Sequence, residues 1–114
     1  NHVHAYNNLG WANNSIGNYE EAIIACNKAL MKDSLYGNAY SNRGFAKYNL
    51  GRYNEAITDC SKAISIDPRN SYAITNRGKA YLKTDSISKA CKDFNNAINH
   101  GNKDAQKLYS KNCQ

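Results

Sequence analysis

Apolar positions along the chain fall into short stretches with helical spacing. Tyr6, Leu9, Gly10 and Asn13 lie three and four residues apart, as do Ala22, Ile23, Cys26, Ala29 and Leu30. That spacing gathers side chains on one face of a helix, whereas a strand would alternate them. Turn residues punctuate the stretches. Gly17-Asn18 and Gly51-Arg52 give easy access to positive φ. Asp67-Pro68 ends a helix, because proline cannot continue one and restricts the residue before it. The pattern predicts an all-α chain with helices over 3–16, 19–32, 37–50, 53–66, 71–84, 87–100 and 103–113.

The stretches repeat. Shifted by 34 residues, 3–36 and 37–70 share fourteen identities without a gap, among them Ala5/Ala39, Tyr6/Tyr40, Asn8/Asn42, Gly10/Gly44, Gly17/Gly51, Tyr19/Tyr53, Ala22/Ala56, Cys26/Cys60 and Ala29/Ala63. A third unit keeps Ala73, Asn76, Arg77, Gly78, Ala80, Ala90, Asp93, Ala97 and Ile98. A fixed period of this length marks a stacked array of helix pairs. Gly10, Gly44 and Gly78 with Ala22, Ala56 and Ala90 let the two helices of a pair approach closely, and Ala29, Ala63 and Ala97 let each pair meet the next.

With the Leu9-Gly10 pair, Gly17, Tyr19, Ala22, Ala29 and Pro68 in these places, the chain resembles the tetratricopeptide repeat family over about residues 3–104. The resemblance implies a right-handed α-solenoid of three antiparallel helix pairs in a single domain, 1–114, with repeats 3–36, 37–70 and 71–102. The third unit departs from the pattern with Asp85 for the turn glycine, Ile87 for the tyrosine, and Gly101-Asn102 at its end. A capping helix over 103–113, with Leu108 and Tyr109 as its apolar stripe, is expected to cover the last stacking face.

By the same resemblance the first helix of each pair lines a concave groove. The residues this points inward are His4, Asn7, Asn8, Trp11 and Asn14, then Asn38, Ser41, Asn42, Phe45 and Tyr48, then Tyr72, Thr75, Asn76, Lys79 and Leu82. Asn8, Asn42 and Asn76 share one register position. As a ladder of amides they would hold a peptide backbone, each offering a donor and an acceptor; the alternative is that they bond locally between helices. Trp11, Phe45, Tyr48 and Tyr72 are either binding anchors or packing against one another or a missing repeat. A guest with apolar residues toward one end and an acidic group toward the other suits this lining. Family domains that grip chaperone C-termini use a clamp of Lys, Asn, Asn, Lys and Arg. The corresponding residues here are Asn7, Trp11, Asn42, Tyr72 and Asn76, so clamp-type binding is not expected.

Charge adds a direction. The net charge is +6; residues 1–70 carry seven basic and six acidic side chains, and residues 71–114 carry eight and three. An acidic partner is steered toward the C-terminal end. The basic residues are spread over several helix faces, which argues against nucleic acid as the ligand. No apolar run is long enough to span a bilayer. No phosphate loop, catalytic constellation or cofactor motif is legible, and His2-Val3-His4 lacks the further ligands of a metal site, so a non-catalytic scaffold for another protein or peptide is expected. The alternative is a self-assembling segment of a longer solenoid, since a chain beginning at Asn1 without Met reads as part of something larger.

Cys26 and Cys60 share a core position one repeat apart, too far for a disulfide. Cys91 and Cys113 each lie about eleven residues from the turn at 101–102 and should face each other. The segment Ala90-Cys91-Lys92-Asp93-Phe94 through Cys113 also resembles the end of tetratricopeptide proteins common in exported bacterial chains. A bridge would imply an oxidising, exported or periplasmic setting; two reduced thiols would imply the cytoplasm.

Overall fold

The computed structural model describes residues 2–113. Asn1 and Gln114, the outermost positions of the expected 1–114 domain, lie outside the described residues. Seven helices follow one another: α1 His2–Ser15, α2 Tyr19–Lys32, α3 Gly37–Asn49, α4 Tyr53–Ile66, α5 Ser71–Lys83, α6 Ile87–Asn99 and α7 Lys103–Asn112. Each begins and ends within one residue of the sequence expectation. Among the described residues there is no strand.

The pairs form because glycine lets the first helix cross the second. A Cβ at Gly10 or Gly44 would lie 2.7 Å from the sulfur of Cys26 or Cys60, and one at Gly78 would lie 2.6 Å from the Phe94 ring. Cys26, Cys60 and Phe94 are successive occupants of one register position, all fully buried. The turn inside each pair needs positive φ: Gly17 at 84°, Gly51 at 81°, and in the third pair Asp85 at 60°.

Pairs stack through small residues. Ala39 of α3 packs with Cys26 and Ala29 of α2. At the other end Ile74, Ala90, Phe94 and Ala97 form a larger core with Ala105 and Cys113, against which Leu108 and Tyr109 of α7 pack. Cys91 and Cys113 are joined by a disulfide, their Cα atoms 5.8 Å apart, which staples α7 to α6. Cys26 and Cys60 are free thiols.

A recurrent ion pair, unremarked in the sequence, locks the second and third units. Arg43 donates through Nε and Nη2 to both oxygens of Asp59 at 2.9 and 2.8 Å, and its Nη1 donates to Asn27 Oδ1 of the preceding pair at 2.9 Å. One period on, Arg77 makes the same fork to Asp93 and donates to Ser61 Oγ at 3.2 Å. Asp59 is also met by Lys47 Nζ at 3.0 Å. The carboxylate bonds hold both guanidinium pKa values above their ordinary value. The signal was present as Arg and Asp sixteen residues apart, recurring after 34.

Candidate functional site

The first helices of successive pairs lie side by side, α1 against α3 and α3 against α5. An open hollow of about 240 Å³ sits on this side, lined by Asn7, Asn8, Trp11, Asn38, Ser41, Asn42, Asn70 and Tyr72. Seven of these eight are among the groove residues expected from sequence. Asn70 was not; it lies at the start of α5, where its side chain accepts from the Ala73 amide at 3.1 Å as an N-cap.

The hollow is polar at its floor. Asn42 Nδ2 donates to Asn7 Oδ1 at 2.9 Å, tying α3 to α1, and Asn14 Nδ2 donates to the Asn42 carbonyl at 2.9 Å. Asn7 and Asn42 are both buried and line the hollow, yet each keeps one unused amide function. Asn7 Nδ2 and Asn42 Oδ1 have no partner among the described residues and are not sealed from solvent. Beside this donor and acceptor, Trp11 stands 59% exposed. Burial pushes the Tyr72 hydroxyl up to about 12, so the far wall stays neutral at any ordinary pH.

The packing distinguishes among the residues expected in the groove. The asparagines at one register position do not form a uniform ladder: Asn8 is exposed, Asn42 is tied to Asn7, and Asn76 is buried with Nδ2 unpartnered among the described residues. The reason is the facing residue. Asn7 is replaced one period on by Ser41, whose shorter hydroxyl donates to the Asn38 carbonyl at 3.0 Å instead.

Phe45 and Tyr48 are not free anchors. Phe45 lies between Tyr19, 6.3 Å away, and Tyr72, 6.0 Å away; Tyr48 packs edge-on to Tyr53 at 5.6 Å, with Lys79 Nζ 5.6 Å above its ring. Aromatic rings on neighbouring helices satisfy one another, and among the described residues no ring contact involves Trp11.

Thr75 and Leu82 do not line the hollow. Thr75 is buried, and Leu82 packs on the C-terminal core. His4 bonds through Nδ1 to the Tyr36 hydroxyl, which sets it beside the entry to α3.

Family models described as tetratricopeptide repeat match residues 37–70 and 3–31, together more than half of the chain. No curated protein matches in sequence. Solved structures share the fold. The TPR domain of Arabidopsis OM64 is 25% identical with a TM-score of 0.91, the match covering 96% of this chain and 92% of that one. The second TPR domain of human RPAP3, in complex with the HSP70 peptide SGPTIEEVD, is 28% identical with a TM-score of 0.88, covering 99% and 96%. The first TPR of Spaghetti (RPAP3), bound to the HSP90 peptide SRMEEVD, is 23% identical with a TM-score of 0.89, covering 96% and 88%, a likeness of fold alone. Repeat period, helix pairing and these matches agree: the chain belongs to the tetratricopeptide repeat family.

Proposed function

We propose that this scaffold is a non-catalytic protein-interaction module that holds an extended peptide segment in the hollow between α1 and α3. The observation that carries the reading is the Asn7–Asn42 pair. It leaves one amide donor and one acceptor beside an exposed tryptophan, which suits a peptide unit followed by an apolar side chain. Lys79 of α5, over the Tyr48 ring, offers a cation for an acidic group at the other end of the guest.

The related human RPAP3 domain binds a peptide ending in EEVD. The guest proposed here is different in its grip. Asn7, Trp11, Asn42, Tyr72 and Asn76 stand at the clamp positions and none carries a charge, so a terminal carboxylate pair would lose its charge-assisted bonds. The Cys91–Cys113 bridge persists in an oxidising compartment, and an exported setting is part of the proposal.

Selection from a displayed random-peptide library, followed by calorimetric titration of the winners, tests the reading. Trp11→Ala is expected to weaken binding by at least about tenfold, the size of a modest hot spot, without lowering the melting temperature. Winners that bind Trp11→Ala unchanged would place the site elsewhere.

A further inference from the structure

The hollow does not end at its own rim. Asn38 and Asn70, which line it, also wall a second open hollow of about 290 Å³ at the edge where α3 and α5 begin. Its other walls include Leu35, 65% exposed, and Ile66, 36% exposed. The repeat requires neither. In the other two units the register position of Leu35 holds Arg69 and Lys103, and that of Ile66 holds Lys32 and His100. All four are basic. An apolar pair that the array does without elsewhere is particular to this junction.

The junction is held in shape by its own bonds. Asp33 Oδ1 accepts from the Leu35 amide at 3.0 Å, and the Tyr40 hydroxyl donates to the Ser34 carbonyl at 2.9 Å, which fixes the backbone that carries Leu35. Ile66 lies against the bare backbone of Gly37, where a Cβ would stand 3.3 Å from Ile66 Cγ2. On the shared wall, the Asn38 carboxamide has no partner among the described residues. Asn70 caps α5 through Oδ1, and its Nδ2 likewise has none. Two apolar sites with carboxamides between them suit an extended chain, which presents side chains separated by backbone donors and acceptors.

We propose that this second hollow receives a large apolar side chain of the same extended peptide that packs a residue on Trp11, with the backbone between them laid over Asn38 and Asn70. The proposal rests on the peptide-binding reading of the first hollow and names the guest's second anchor. The guest is the occupant because the two hollows share a wall: a chain seated beside Trp11 that leaves over Asn38 enters the second directly. Geometry sets the spacing. Phe45, the register partner of Trp11, stands eight residues beyond Gly37, which is about 12 Å of helix. Neighbouring first helices lie about 10 Å apart. The two anchors are therefore about 15 Å apart, a span of about four or five extended residues.

A displayed library of random peptides, selected on the 114-residue protein and followed by calorimetric titration, tests this. Winners are expected to carry two large apolar residues about four or five positions apart. L35R/I66K gives the junction the residue types of the other units, and Gly37→Val fills its floor with the type that Val3 supplies in the first unit. Both variants are expected to keep the wild-type melting temperature. Both are expected to bind those winners at least about tenfold more weakly, the effect of one lost apolar contact. Alanine at the winners' second apolar position is expected to weaken binding as much in the wild type and hardly at all in L35R/I66K. Winners that weaken with Trp11→Ala but not with L35R/I66K or Gly37→Val overturn this proposal and leave the first hollow as the site. Winners indifferent to Trp11→Ala overturn both readings, as does a library that yields none. A wild-type dimer that L35R/I66K makes monomeric in sedimentation equilibrium would assign the junction to a second copy and also overturn the proposal.

Discussion

The first and third helix pairs are built on one template and held by different means. At the register position under the crossing glycine, the first pair has the sulfur of Cys26 and the third has the ring of Phe94. The first lacks the Arg–Asp fork, with Leu9 and Ala25 in those places; the third has Arg77 on Asp93, a large core, a capping helix and a disulfide. In a quasi-one-dimensional array each unit draws stability from itself and its neighbours. The protein is thus anchored at its C-terminal end, and its exposed tryptophan lies at the less cross-linked end. Regions that receive partners are commonly the ones with least local stability.

The largest expected break in this contrast is Phe94→Ala. Emptying the fully buried ring site is expected to cost about 3–5 kcal/mol, against about 1 kcal/mol for Cys26→Ala at the equivalent site. Chemical denaturation of the two variants measures the difference directly, and equal losses would show that the two ends are equally anchored.

Reduction of Cys91–Cys113 comes next. The bond closes a loop of 22 residues, and its loss is expected to remove about 2–4 kcal/mol. Amide hydrogen exchange should show the loss first in α6 and α7, leaving α1 and α2 at their oxidised rates.

Alkaline pH reaches the other half of the comparison. Burial pushes the Cys26 thiol from 9.0 to about 11 and the Cys60 thiol to about 12. The native pKa lies above the unfolded one. The stability from keeping these thiols neutral is therefore whole below pH 9 and falls as pH rises toward 11–12. About 1 kcal/mol per thiol is expected to be gone at one unit above the ordinary pKa. Denaturation midpoints followed from pH 8 to about pH 10 should decline less in C26A/C60A than in the wild type.

The smallest effect sharpens the contrast. Asp85 occupies the positive-φ turn that Gly17 and Gly51 fill in the other pairs. Asp85→Gly is expected to add up to about 1 kcal/mol, while Gly17→Ala should lose a similar amount, both read from melting curves.

Periodicity and turn residues determined the number of helices, their boundaries to within a residue, and the pairing through Gly10, Gly44 and Gly78. These follow from spacing, because a repeat of 34 with small residues at fixed positions can nest in only one way. Trp11, Asn7 and Asn42 were legible as lining residues only through the resemblance to the tetratricopeptide repeat family, which assigns those first-helix positions to the groove. What a register position cannot state is which neighbour meets it. Only the packed structure decided that Asn42 bonds to Asn7 while Asn76 finds a serine too short to answer it. Only packing showed Phe45 and Tyr48 consumed by other rings while Trp11 stands clear.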